Sequence, residues 1–306
     1  MGVNRMDHAA VLVEDLGRAL EWYEGTLGLT VLDRDDARAH VTCDGDHADV
    51  TLVAGGHGLV TFAIGVDDLD DLEAIERRLD QHGVAHERIV DPDRPGTAEL
   101  TRFRMSTGHV MEFAVASGER TAGRTSLSWD GVSATPTDID HINLLGADAP
   151  AEVAEFLTDV VGLKISGVIR VEGDSVGIWS RAGTSDHDIA YMRAVRPDDR
   201  LHHIAFAMFD SNHYQRLGDR LAAGGQRFEF GPGRHGGGFF SGTGFGSNLF
   251  AYAFDPSGNR NEFSGDMAVV RDDADTVIVD VLGDQVADVM NAWANNMPES
   301  FMTIGS

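Results

Sequence analysis

This 306-residue chain has a single cysteine, Cys43. No intrachain disulfide can form, which suits a reducing compartment. No run of 18 or more apolar residues occurs, so no membrane-spanning helix is expected. The first sixteen residues carry acids and a histidine where a signal peptide needs an apolar stretch. The expected location is the cytoplasm. Basic residues are also scarce: Lys and Arg total 24 against 50 Asp and Glu, a formal net charge of −26. Such a surface repels nucleic-acid phosphates and anionic membranes, so neither is an expected partner. Hydrophobic residues, by contrast, make up 42%. That is enough for a sizeable core, and the length suits two domains of ordinary size.

The chain repeats itself. Met6-Asp7-His8-Ala9-Ala10-Val11, a helix-like run and Leu27-Gly28-Leu29 return as Asp138-Ile139-Asp140-His141-Ile142-Asn143, another such run and Val161-Gly162-Leu163. Thr61-Phe62-Ala63-Ile64 matches Ala205-Phe206-Ala207-Met208, and Gly108-His109-Val110-Met111-Glu112-Phe113 matches Gly258-Asn259-Arg260-Asn261-Glu262-Phe263. Four matches in one order indicate duplication. The expected division is a structural domain without metal over residues 1–120, a catalytic metal-binding domain over 136–268 and a tail over 269–306. The junction from Gly118 to Thr137 is rich in Gly, Ser and Thr and contains Pro136, as a linker should.

Each half reads as two βαβββ units. In the first, a strand near 6–13 precedes a helix from Leu16 to Leu27 with Asp15 as N-cap and Gly28 as stop. Strands follow near 38–43, 50–54 and 60–66, then a helix over 69–82, then strands near 99–106 and 109–115. The second half gives a strand at 138–145, a helix at 150–161 and strands near 167–171, 175–180, 188–193 and 202–208. A helix at 211–223 and strands near 249–254 and 260–264 complete it. In the tail, Val277–Val281 reads as a strand. Val286, Val289, Met290 and Trp293 fall at helical spacing within 285–295. The tail has no counterpart in the first half and is expected to pack on the body or on a neighbouring subunit.

His141 and His203 lie in apolar strands, and Glu262 lies in the last strand of the repeat. A buried imidazole or carboxylate is costly without a partner, and one divalent ion shared by all three would offset that cost. Two imidazoles and a carboxylate on one face leave metal positions open, an arrangement suited to non-haem Fe(II) oxygen chemistry. The first half retains His8 and Glu112. Aligning Phe62 with Phe206 places Leu59 opposite His203, and leucine cannot ligate.

The Asp-His-Ile opening, Leu201-His202-His203-Ile204-Ala205-Phe206 and the segment from Tyr252 through Asp255-Pro256-Ser257-Gly258-Asn259-Arg260-Asn261-Glu262 resemble the two-domain extradiol (catechol 2,3-) dioxygenases of type I. These form part of the vicinal-oxygen-chelate superfamily, and the resemblance covers roughly residues 5–266. It implies an α+β fold of paired βαβββ modules, glyoxalase/bleomycin-resistance-like in each domain. It implies Fe(II), alternatively Mn(II), on His141, His203 and Glu262, with His187, His235 and Tyr252 as catalytic residues. It also implies meta cleavage of a catechol-type diol by O2 next to the hydroxyl pair, in a homo-oligomer. Other members of the superfamily use the metal as a Lewis acid in glyoxalase- or isomerase-like reactions, or bind aromatic ligands without reaction. The glycine-rich stretch over 236–247, between His235 and Tyr252, is longer than the family's usual connection. It reads as either a lid bearing Phe239, Phe240 or Phe245, or a slack loop. No Lys-Ser/Thr follows it, so it is no phosphate loop.

Overall fold

The computed structural model describes residues 2–43, 45–90, 92–118, 134–196 and 198–306. Most of the Gly118–Thr137 junction lies outside the described residues. The first half forms one sheet of eight strands: β1 (Val3–Val13), β2 (Thr30–Arg34), β3 (Arg38–Thr42), β4 (Val50–Ala54), β5 (Gly58–Val66), β6 (His86–Val90), β7 (Thr97–Arg104) and β8 (Val110–Ala116). Their order is β2-β3-β4-β1-β5-β8-β7-β6. Helix α1 (Leu16–Leu20) and helix α2 (Leu69–Gln81) follow the first strand of each βαβββ unit.

The second half repeats the plan with β9 (Asp138–Gly146), α3 (Pro150–Glu155), β10 (Lys164–Val171), β11 (Asp174–Arg181), β12 (Ile189–Arg193) and β13 (Leu201–Ala207). It continues through α4 (Ser211–Ala223), β14 (Phe230–Arg234), α5 (Gly237–Ser241), β15 (Leu249–Phe254) and β16 (Arg260–Gly265). The tail supplies β17 (Val277–Val281), α6 (Val286–Met290) and α7 (Glu299–Thr303). Its sheet runs β14-β15-β16-β13-β9-β12-β11-β10-β17. The paired βαβββ architecture read from the sequence is therefore the observed one.

Local chemistry explains most boundaries. Asp15 and Asp68 cap α1 and α2 by accepting from the backbone N–H three residues on. On α2 the buried residues Leu72, Ile75 and Leu79 recur at helical spacing. The expected helices to Leu27 and Val161 differ in their second turns, which widen into π-helix at Glu21–Thr26 and Phe156–Val161. In the first, the wider turn accompanies complete burial of both Trp22 and Tyr23. Gly162 then ends the second with φ of 90°, a left-handed conformation that side chains resist.

Strands β2, β6 and β14 escape the sequence reading because they are edge strands. One backbone edge and part of each face meet solvent, so charged residues in β2 and β6 and the Gly-Pro-Gly of β14 are tolerated. The tail helix is shorter than its periodicity suggests. The Asn291 side chain accepts from the Trp293 N–H, a local bond that competes with helix continuation, and Trp293 is left exposed.

The segment Asp255–Asn261 joins the halves. Asn259 donates to the Leu12 carbonyl (2.9 Å) and accepts from the Gly58 N–H (2.8 Å). Tyr23 donates to Asp255 (3.2 Å), and the Trp22 indole N–H donates to Asn261 Oδ1 (2.8 Å). Asp255, Asn259 and Asn261 are thus spent on assembly, while Glu262 beyond them lines the pocket. Trp22→Phe leaves the Asn261 acceptor buried and unmet. It is expected to lower stability by about 1–3 kcal/mol, read as a reduced urea midpoint with an unchanged slope.

Candidate metal centre and ligand pocket

The order β15-β16-β13-β9-β12 brings Tyr252, Glu262, His203 and His141 onto adjacent strands, with His187 in the turn entering β12. His203 pairs with Asn143 across β13 and β9, and Glu262 pairs with Tyr252 across β16 and β15. The structure brings together all six residues singled out from the sequence, and all six line one cavity.

Three donor atoms converge there. Glu262 Oε2 lies 2.9 Å from His203 Nε2 and 3.2 Å from His141 Nε2. The two Nε2 atoms are 3.3 Å apart. An ion held at about 2.1 Å would set its donors roughly 3.0 Å apart in cis octahedral geometry and roughly 3.4 Å apart in tetrahedral geometry. The observed triangle lies close to that range, so the residues fit a divalent metal.

Proton bookkeeping supports the same fit. The Asp140 carboxylate accepts from His141 Nδ1 (2.9 Å), which leaves Nε2 as the lone-pair atom. His203 is fixed through a relay. The Phe301 carbonyl can only accept, so His202 Nε2 (2.8 Å) carries hydrogen. Burial, with Arg260 and His203 nearby, holds the His202 pKa well below its ordinary value, so this ring is neutral. Its Nδ1 therefore accepts from His203 Nδ1–H at 2.7 Å. The His203 lone pair is left on Nε2, facing the other donors.

The unliganded charges are strongly coupled. Burial, the largest influence on Glu262, pushes its pKa up, but His141 and His203 outweigh it and hold the carboxyl well below its usual range. Burial disfavours charge on His141, yet Glu262 and Asp140 raise it to about 10. Burial prevails at His203, which falls to about 4 despite Glu262.

Around the triad stand the other expected residues. His187 Nδ1–H donates to Asp186 Oδ2 (3.0 Å), and its ring lies edge-on to His141 with centroids 4.3 Å apart. His235 Nδ1–H donates to the Met290 carbonyl (2.8 Å), so its Nε2 accepts from the Tyr252 hydroxyl at 3.1 Å. Burial, reinforced by Glu262, raises the Tyr252 pKa well above 10; this phenol is a donor. The long loop thus keeps His235 in the pocket. Of its phenylalanines only Phe245 is buried and lines the cavity, while Phe239 and Phe240 are exposed.

Sequence reasoning missed several lining residues. Asn143 was detectable, since it stands two residues after His141 on the same strand and hence on the same face. Asn248 donates to Glu262 Oε1 (3.2 Å) and has no sequence signal. The amide oxygens of both asparagines lack hydrogen-bond partners among the described residues, as expected of groups that await a ligand. The tail also contributes: Val289, Met290 and Phe301 line the cavity, although its spacing suggested packing alone.

The first half holds a related but different cluster. His8 Nε2 meets Glu112 Oε2 at 2.8 Å. Two ladders agree on the third position. Ala63 pairs with Glu112 as Ala205 pairs with Glu262, and Thr61 pairs with Ala10 as His203 pairs with Asn143. The counterpart of His203 is therefore Thr61, two residues from the Leu59 expected. Matching Phe62 to Phe206 slipped the register, which a side-chain period of two permits without changing face. Arg102 binds Glu112 at 2.6 Å. Burial raises the Glu112 pKa, but His8, Arg94 and Arg102 bring it down to about 2. Asp7, His8 and His47 also gather within metal-binding reach.

The sequence model of the Glyoxalase/Bleomycin resistance protein/Dioxygenase superfamily matches residues 5–113 and 138–263. The chain belongs to that superfamily. The metapyrocatechase of Pseudomonas sp. (strain CF600) is 30% identical over 274 residues, covering 85% of each chain. The homoprotocatechuate 2,3-dioxygenase of Arthrobacter globiformis superposes with a TM-score of 0.85 at 26% identity, covering 100% of this chain and 92% of that one. The Brevibacterium fuscum homoprotocatechuate 2,3-dioxygenase, complexed with 3,4-dihydroxyphenylacetate, also gives 0.85, at 25% identity over 100% of this chain and 93% of that one. Within the superfamily, this chain is an extradiol ring-cleaving dioxygenase of type I. No helix among the described residues is long and apolar enough to cross a membrane.

Proposed function

We propose that the chain cleaves a catechol-type diol with O2 at one Fe(II) centre held by His141, His203 and Glu262, Mn(II) being the alternative ion. The convergence of three lone-pair donors within 2.9–3.3 Å in a lined cavity carries this reading. When bound, the metal would polarise the diol and supply a redox path between it and O2. The catalytic half is then residues 136–268 with the tail against it. Residues 1–120 form a structural half, in which His8, Arg94 and Arg102 compensate the buried Glu112.

The surrounding side chains have definite tasks. Tyr252 keeps its proton and donates to one substrate oxygen. His235 Nε2, with its tautomer set by the Met290 carbonyl, accepts from a substrate hydroxyl. His187, with Nδ1–H fixed on Asp186, takes up and returns a proton through Nε2. The amide oxygens of Asn143 and Asn248 accept from hydroxyl or water at the cavity wall. The reading is tested by oxygen-electrode assay: anaerobically prepared, Fe(II)-loaded protein consumes O2 stoichiometrically with catechol. No uptake across a panel of substituted catechols refutes it.

His202 has a positioning task. His202→Leu removes the partner that holds the His203 tautomer and is expected to weaken metal retention about 10–100-fold. Competition with a chelator measures this; unaltered retention would show that the relay from Phe301 is dispensable.

A further inference from the structure

The far wall of the cavity bears on which diol enters. Ile169 on β10, Trp179 on β11, Phe245 from the glycine-rich loop, and Val289 and Met290 from the tail make it up. Ile169, Phe245 and Val289 belong to one buried apolar cluster with Val279 and Val281 of β17. The Phe245 ring stands edge-on to Trp179 with centroids 5.7 Å apart. It occupies space left by Gly167, where an added Cβ would lie 2.2 Å from the ring. No Lys or Arg lines the cavity among the described residues. The nearby Arg234 and Arg260 are committed, the first to Asp266 and the Ser247 carbonyl, the second to Glu229 and tail carbonyls.

The cavity is also small, about 50 Å³. The buried Phe245 ring, packed against Trp179 and seated over Gly167, bounds it on that side.

We infer that this site takes neutral, monocyclic catechols with a hydrogen or a compact apolar substituent, and that Phe245, backed by Gly167 and Trp179, sets the size limit. The inference rests on the ring-cleavage reading above and narrows its substrate class. It separates this chain from the Brevibacterium fuscum relative, whose complex holds a carboxylated diol, 3,4-dihydroxyphenylacetate. A carboxylate placed against this wall meets no Lys or Arg among the described residues. It enters only by taking up a proton first, because an unpaired buried charge costs more than neutralisation. For a carboxyl with a pKa of about 4.3, that step costs on the order of 1,000-fold in affinity near pH 7.5.

Anaerobic calorimetric titration of the Fe(II)-loaded chain with four ligands tests this: catechol, 4-ethylcatechol, 3,4-dihydroxyphenylacetate and 1,2-dihydroxynaphthalene. Catechol and 4-ethylcatechol should bind with similar Kd, and the carboxylated diol up to about 1,000-fold more weakly. The carboxylated diol should also gain about tenfold in affinity, relative to 4-ethylcatechol, for each unit of falling pH, as proton uptake requires. The naphthalene diol should bind poorly and be recovered selectively in Phe245→Ala, or in Val289→Ala if the first variant does not fold. Binding of 3,4-dihydroxyphenylacetate within about threefold of 4-ethylcatechol overturns the charge argument. Tight binding of the naphthalene diol to the unmodified chain overturns the size argument. Failure of every diol to bind would instead remove the ring-cleavage reading, and this inference with it.

Discussion

Glu262→Ala is expected to empty the metal centre. The substitution removes the one anionic donor of the triad and leaves two imidazoles, of which only one is held by a carboxylate. Loss of an outer hydrogen-bond partner costs about 10–100-fold in metal affinity; loss of a donor itself should exceed that. Elemental analysis after desalting should fall from one ion per chain to a trace, with ring-cleavage activity below detection. Full occupancy in the variant would remove Glu262 from the ligand set. The same measurement on the unmodified chain separates the two halves. One ion per chain is expected, because Arg102 and Arg94 already balance Glu112 beside His8.

His187→Asn has the opposite signature. The residue touches no donor of the triad by hydrogen bond, and its Nδ1 is committed to Asp186. Metal content should be unchanged while kcat falls about 100- to 10,000-fold, the usual cost of losing a positioned proton carrier. A variant that keeps its metal and its kcat would assign the proton transfer to another group, His235 being the nearest in chemistry. A variant that loses its metal would instead mean that the edge-on contact with His141 holds that ligand in place.

Much of this was legible in the chain. Strands and helices of the two repeats follow from alternation, helical spacing, the cap at Asp15 and the stop at Gly28. The edge strands β2, β6 and β14 were not, because a half-solvated strand is under no pressure to look apolar. His141, His203 and Glu262 were legible because polar groups inside apolar strands need a reason to be there, whereas His187, His235 and Tyr252 followed only from the family resemblance. The motif around Glu262 carried a second meaning that spacing does not convey: Asp255, Asn259 and Asn261 bind the first half, and Glu262 alone serves the pocket.

The sequence by itself determined the duplication, the two-sheet plan and the identity of the convergent donors. These rest on local periodicity and on residue chemistry, which a linear reading retains. Tertiary structure decided the rest. Only strand pairing identifies Thr61 as the counterpart of His203, since a slip of two residues preserves every face. Only the fold brings the Phe301 carbonyl to His202 and the Met290 carbonyl to His235, setting two tautomers from a tail that no repeat predicts. And only packing draws Phe245 rather than Phe239 or Phe240 inward, because Gly167, distant in sequence, leaves the space for its ring.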